Sequence, residues 1–241
     1  MKDAGDAFQR ATKYSRGAMG GGGLDWASRP ETYKVYAGAR RAALPKVSGE
    51  DAGALHDALA RRRSVRSFGA AALTAEQLSY LLWAATGISH RRGGYEFRTA
   101  PSAGALYPVE TYVSVQNVGG IEVGLYHYAV VEHALELLGE GDHSAEVARA
   151  ALDQEMCARA GAVFIWTGVF GRCKWKYGQR AYRYVYLDAG HVAENVALAA
   201  AGLGIGACHM AALYDDEANA ILGVDGEQES TIYMTAVGSL T

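Results

Sequence analysis

The 241-residue sequence predicts an α+β domain with a central, mostly antiparallel sheet flanked by helices. Three observations lead there. Half of the residues are hydrophobic, which is ample for one sizeable core. Segments with apolar residues three and four apart alternate with short β-branched and aromatic runs. These two kinds of segment follow one another without the regular repeat that would build a doubly wound parallel sheet, and no internal repeat is present.

The elements can be assigned in order. Residues 1–50 are poor in periodic apolar spacing and contain GAMGGGGLDW, so they read as an irregular arm that docks through Trp26, Tyr33 and Tyr36 onto a domain formed by residues 51–241. A helix fits 51–63, with Leu55 and Leu59 one turn apart and Arg61, Arg62 and Arg63 at its C-terminal end. A second begins after Thr74, where TAEQ is a capping box, carries Leu78, Leu81, Leu82 and Ala85 on one face and stops at Gly87. Strands are expected at 110–117, 124–131 and 134–138, then an amphipathic helix at 144–156. The continuous apolar run AVFIWTGVF at 162–170 reads as a strand buried on both faces. DAGHVAENVALAAAGLG spaces Ala189, Val192, Val196, Ala199 and Leu203 as a helix whose alanines permit close contact. IGACHMAAL, a helix near 215–222 and the strand STIYMTAVG complete the chain.

Charge and cysteines exclude several function classes. A net charge of −3 gives no bulk drive toward nucleic acid or an anionic membrane. Cys157, Cys173 and Cys208 are odd in number and far apart, which opposes a disulfide framework or a thiolate metal site and suits a reducing cytoplasm. The histidines show no short ligand spacing, so no metal is expected. No apolar run is long enough for a membrane span and no signal core is present at the N-terminus. Small-molecule chemistry is the expectation that remains.

Four stretches could carry that chemistry. RRRSVRSF, at 61–68, is either a cationic cap for its helix or an anion site; with the chain extended, Arg62, Ser64 and Arg66 would point the same way and could grip a phosphate. RTAPSAGALYP has more Pro, Ser and Gly than a turn needs. GLGIGA has three glycines, of which a helix C-cap explains one, in an order opposite to that of a dinucleotide fingerprint. CKWKYGQRAYRYVY is a cation–π surface strip, a nucleic-acid contact or a catalytic pair; a lysine base would need its ordinary pKa of ~10.4 lowered by about three units, which burial beside Arg180 and Arg183 could in part provide.

RRSVRSF, RTAPSAGALYPVE, KYGQRAYRY, DAGHVAENVALAAAGLGIG and IYMTAVG together resemble, in order and spacing, the nitroreductase-like flavoenzymes, and specifically the SagB-type dehydrogenases related to thiazole/oxazole synthetase oxidases. The arm resembles the segment that precedes this domain in that group. The resemblance implies an interlocked homodimer with two FMN molecules at its interface. It implies that Arg62, Arg63, Ser64 and Arg66 hold the FMN phosphate, that Pro101, Ser102, Ala103 and Gly104 reach across from the partner subunit, and that Gly204, Ile205 and Gly206 lie near the flavin N5 and pyrimidine edge. Lys176 and Tyr177 match a pair that azoline-oxidising members are thought to use for Cα proton removal during hydride transfer. The sequence departs from the family in two places: VGSLT lacks the basic residue that many members place after the final Val-Gly, and Ala105 replaces a frequent Asn. Three functions follow as expectations: an azoline-oxidising FMN dehydrogenase acting on a small molecule or peptide, an NAD(P)H-dependent nitro- or quinone reductase, and a flavin-binding partner subunit of a biosynthetic complex.

Overall fold

The structure, a computed structural model, describes residues 3–18 and 53–241. Its elements are α1 (Ala4–Ala11), α2 (Gly53–Arg61), α3 (Ala75–Thr86), β1 (Ile88–Arg92), β2 (Tyr95–Arg98), β3 (Val109–Val115), β4 (Gly124–Ala129), β5 (Ala134–Glu140), α4 (Ser144–Ala150), α5 (Glu155–Ala158), β6 (Ala162–Val169), α6 (Phe170–Tyr177), α7 (Ala181–Gly202), β7 (Gly206–Met210), α8 (Asp215–Leu222) and β8 (Glu229–Gly238). Six strands form one sheet in the order β5-β4-β3-β6-β8-β7, and every neighbouring pair is antiparallel. β1 and β2 form a separate hairpin.

The centre of the sheet follows from one stretch of sequence. β6 is hydrogen-bonded on both sides and its side chains alternate between two cores. Phe164 and Trp166 pack with Leu78, Leu81, Val192 and Val196 beneath α3 and α7, whereas Val163 and Ile165 pack with Val147, Cys157, Met210 and Met234 beneath α4, α5 and α8. A strand with helices on both faces is apolar on both, and AVFIWTGV is apolar at every position but Thr167, whose hydroxyl donates to Glu229. α3 begins at the expected capping box: Gln77 N–H donates to Thr74 Oγ1 while Thr74 N–H donates to the Gln77 side chain.

Several expectations require correction. The arm is not irregular throughout, because α1 is a helix docked against α6 and α7. Its Asp6 accepts hydrogen bonds from Lys174 Nζ (2.8 Å), Gln179 Nε2 (2.6 Å) and Tyr182 Oη (2.5 Å). Trp26, Tyr33 and Tyr36 lie outside the described residues. The expected helix at 144–156 is two helices separated at Leu152 and Asp153, both with positive φ. α7 starts seven residues before the expected DAGH, and the basic aromatic strip that precedes it begins as a helix, α6, with no break after β6. The β1–β2 hairpin escaped notice although Gly93-Gly94, with φ of 60° and 80°, is a two-residue turn of the kind that matches strand twist. Among the described residues no helix is long and apolar enough to cross a membrane.

Candidate active site

The long helix α7 organises two clusters of site residues, one toward each end. Toward its N-terminal end lies the Pro101–Gly104 loop. Asp188 of α7 is buried, 5% exposed, and accepts a hydrogen bond from Ser102 Oγ at 2.6 Å and a longer one from the Ala103 N–H at 3.3 Å. The Ser102 hydroxyl in turn accepts from the Tyr107 N–H at 2.9 Å. Burial pushes the Asp188 carboxyl above its usual range, opposed by these two donors. Ser102 therefore ties the loop to α7, and Asp188 is the loop's anchor, a residue the sequence reading passed over as one more polar position in a helix.

The anchored loop turns through left-handed backbone at Gly104, Ala105 and Tyr107, with φ of 68°, 54° and 45°. At Gly104 the chain also has no room. A Cβ there would lie 2.6 Å from Tyr177 Oη and 3.0 Å from Lys176 Nζ. Two stretches that sequence alone could not relate, PSAG and KYG, thus meet in one subunit. α6, which ends at Tyr177, is held by Arg172, whose guanidinium donates to the Tyr107 carbonyl at 2.9 Å and pairs with Glu110 at 2.5 Å. Glu110 also meets His127 Nε2 at 3.2 Å, and the other imidazole nitrogen faces Glu136 at 2.7 Å. Glu110 and then Glu136 hold His127 above the usual imidazole range. Lys176 itself is exposed, so the burial on which the sequence reading relied is not provided within one chain, and Arg180 donates instead to Tyr184 Oη at 2.8 Å.

Near the C-terminal end of α7 the chain after α2 is extended, the condition under which Arg62, Ser64 and Arg66 share a side. Ser64 bridges Ala207 in parallel, with the Val65 N–H donating to the Ala207 carbonyl at 2.9 Å, so residues 62–66 lie along the free edge of β7. Arg61, Arg62 and Arg63 line one side of a cavity of about 300 Å³, and Gly204 and Ile205 line another. The capping role of these cations is real at two positions: Arg61 donates to the Asp57 carbonyl and Arg63 to the carbonyls of Ala60 and Arg62. Arg62 is left facing Glu194 at 3.6 Å, and Arg66 makes only a 3.5 Å contact to the Ser64 carbonyl. A buried polar atom without a partner, His209 Nε2, lies 3.7 Å from the same Glu194.

Of the glycines of GLGIGA, one ends the helix, as the sequence allowed, and another has a packing duty that it did not disclose. Gly204, at φ 71°, is the left-handed residue of a Schellman cap: its N–H donates to the Ala201 carbonyl, and the Ile205 N–H reaches the Ala200 carbonyl at 3.0 Å. A Cβ at Gly206 would lie 2.8 Å from Val65, so this glycine admits the extended 62–66 segment. The amides of Gly204 and Ile205 are committed to the helix end. What the loop offers a ligand is shape.

Comparison with known proteins places this arrangement. The family model described as Nitroreductase family matches residues 59–239. The Methanocaldococcus jannaschii protein named "Putative nitroreductase MJ1384" is 42% identical over 170 residues, covering 70% of this chain and 84% of that one. The trifolitoxin-processing protein TfxB of Rhizobium leguminosarum bv. trifolii is 36% identical over 113 residues, 45% of this chain, which spans only 30% of TfxB. A chain of the Escherichia coli microcin synthetase McbBCD complex superposes with a TM-score of 0.67 at 20% identity, covering 88% of this chain and 79% of that one, and shows the same fold. The α+β sheet, the domain-wide match and the relatives agree: the chain belongs to the nitroreductase family and is an oxidoreductase of that superfamily.

Proposed function

We propose that the protein is an FMN-dependent, SagB-type dehydrogenase that oxidises azolines, in a small molecule or a peptide, to azoles. The observation that carries this reading is the meeting of Lys176 Nζ and Tyr177 Oη at the backbone of Gly104. The match to a toxin-processing protein supports the substrate class.

The residues present fit the cofactor. Arg62 and Arg66, with Ser64 and Arg63 beside them, offer charge-assisted donors to a phosphate, and the unpartnered His209 Nε2 adds a buried polar atom next to them. Gly204, Ile205 and Gly206 wall the cavity by backbone shape. FMN, when bound, supplies a hydride acceptor. The Lys176 amine would take the substrate Cα proton and the Tyr177 hydroxyl would orient it, a role that general-base catalysis rewards when the base is held in reach of its proton.

On this reading the site is closed by two copies of the chain. Asp188, which anchors Pro101–Gly104, and Gly202, the last residue of α7 before the Gly204–Gly206 turn, are fourteen residues apart, about 21 Å along the axis at ~1.5 Å per residue. One mononucleotide does not bridge that length. The reading therefore has the loop with Lys176 and Tyr177 reaching the arginine cluster of a second copy, in a homodimer. A groove of about 650 Å³ between α2, α3 and α7, lined by exposed Leu55, Tyr80 and Trp83, fits an apolar surface of that second copy. The approach of the Pro101–Gly104 loop to the second copy would desolvate Lys176. A soluble cytoplasmic enzyme suits three free, buried cysteines.

The test is the absorbance spectrum of the purified full chain, followed by anaerobic addition of an azoline substrate or of NAD(P)H. Flavin bands bleached by azoline are the expected result; absence of flavin after reconstitution overturns the reading. The second reading, an NAD(P)H-dependent nitro- or quinone reductase, is favoured by the 42% identity to the M. jannaschii protein and by the exposure of Lys176. Rapid bleaching by NADPH alone would select it.

A further inference from the structure

We propose that Glu194 competes with a bound phosphate for Arg62, and that phosphate binding drives the Glu194 carboxylate onto His209, which takes up a proton. The inference rests on the reading that the arginine cluster holds a phosphate, and it concerns how that same site is regulated.

The geometry is that of a carboxylate shared between two partners and bonded fully to neither. Glu194 Oε1 is 3.6 Å from Arg62 Nε and Oε2 is 3.7 Å from His209 Nε2, both beyond hydrogen-bond length. His209 is fixed by β7, and its other ring nitrogen lies 2.6 Å from Thr235 Oγ1. Its Nε2 is buried and has no hydrogen-bond partner. A buried ring nitrogen left in that state costs free energy, and Glu194 is the carboxylate that can relieve it.

The groups facing His209 are Glu194 from α7, Arg62 from the segment after α2, and Thr235 and Tyr233 from β8, with the buried thiol of Cys208 beside it on β7. Burial holds the imidazole below its usual range, Glu194 opposes that and the charge of Arg62 adds to it. A phosphate on Arg62 leaves the burial as it is and shifts both charge influences in one direction. It neutralises the nearby cation, brings negative charge and frees the carboxylate. Protonated His209 can then donate to Glu194 from Nε2 and to Thr235 Oγ1 from Nδ1, so both ring nitrogens are satisfied. By linkage, ligand binding should tighten as pH falls through the histidine range.

The experiment is titration calorimetry of the flavin-free full chain near neutral pH, in two buffers of different ionisation enthalpy, with FMN, inorganic phosphate and riboflavin in turn. After subtraction of the proton that the ligand's own phosphate releases on binding as the dianion, FMN and phosphate should bind with uptake of a fraction of a proton, and riboflavin, which lacks the phosphate, with none. Glu194→Gln should bind FMN and phosphate about 1.5- to fivefold more tightly, the scale of one partly exposed charge pair, with the uptake lost. In the wild type, the NMR titration midpoint of the His209 ring should move to higher pH on saturation with phosphate. Equal uptake in wild type and Glu194→Gln, weaker binding by Glu194→Gln or an unmoved midpoint would overturn the proposal. FMN binding without proton uptake defeats this inference and leaves the enzyme reading standing; phosphate-linked uptake without FMN binding does the reverse.

Discussion

The two ends of α7 are built by opposite means. Near Gly204 the functional groups are charges on long side chains, Arg62 and Arg66, loosely held by a distant carboxylate and a carbonyl. Near Asp188 they are short groups held rigidly: a buried carboxylate, a serine hydroxyl and a glycine in left-handed backbone against Tyr177 Oη. A flexible cationic cluster can supply affinity for an anion, whereas a rigid loop supplies geometry to a reacting pair. Substitutions at the two ends should therefore fail differently.

The sharpest separation comes from Lys176→Ala, which should leave the flavin bands intact and lower azoline turnover by about 10²–10⁴, the usual range for loss of a general base. Full turnover would remove Lys176 from the chemistry. At the opposite end, Arg62→Ala should weaken FMN binding by roughly tenfold to a hundredfold, the worth of one hydrogen bond to a charged group, while any flavin still bound turns over normally. Flavin fluorescence titration measures it. A pair of glycine substitutions sharpens the comparison further. Gly104→Val meets both a strained φ and a clash with Tyr177, and should lose turnover along with about 1–2 kcal/mol of stability. Gly204→Ala meets the strain alone, since nothing lies within 4 Å of its Cβ position, and should cost about 1 kcal/mol by thermal denaturation with flavin retained.

The smallest effect is expected outside both ends. Lys174 and then Tyr182 hold the Asp6 carboxyl at about 2. Its contribution to docking α1 is therefore present above the ordinary carboxylate value of ~3.9 and fades as pH falls toward 2. Asp6→Asn should cost about 1 kcal/mol near neutral pH and flatten that acid limb, read by circular dichroism. Because α1 braces α6 through Lys174, a small fall in turnover without loss of flavin would tie this contact to the rigid end.

Much of the fold was legible because its signals are local. The capping box at Thr74 and the apolar run of β6 each determine their own structure, and the extended chain on which the alternation of Arg62, Ser64 and Arg66 depends is present. What the sequence hid depends on distant partners. Asp188 becomes an anchor only once Ser102 is folded against it, eighty-six positions away, and Gly206 is required by Val65 across a parallel bridge. Gly204 carried a local signal, yet its helix-ending duty and a ligand-facing one leave the same trace in sequence. Lys176 and Tyr177 could be picked out only by family resemblance, because nothing in KWKYG discloses that it will meet Gly104.

In the proposed dimer one flavin site takes its charge from one copy of the chain and its rigid loop from the other. Coexpression of Arg62→Ala/Arg66→Ala with Gly104→Val tests it directly, each variant alone being flavin-poor or inactive. If the two ends serve one site across a dimer, random pairing gives mixed dimers with one intact site, and turnover should return to about a quarter of the wild-type value. If both ends serve a site within one chain, every site in the mixture is damaged, and no recovery would contradict the account.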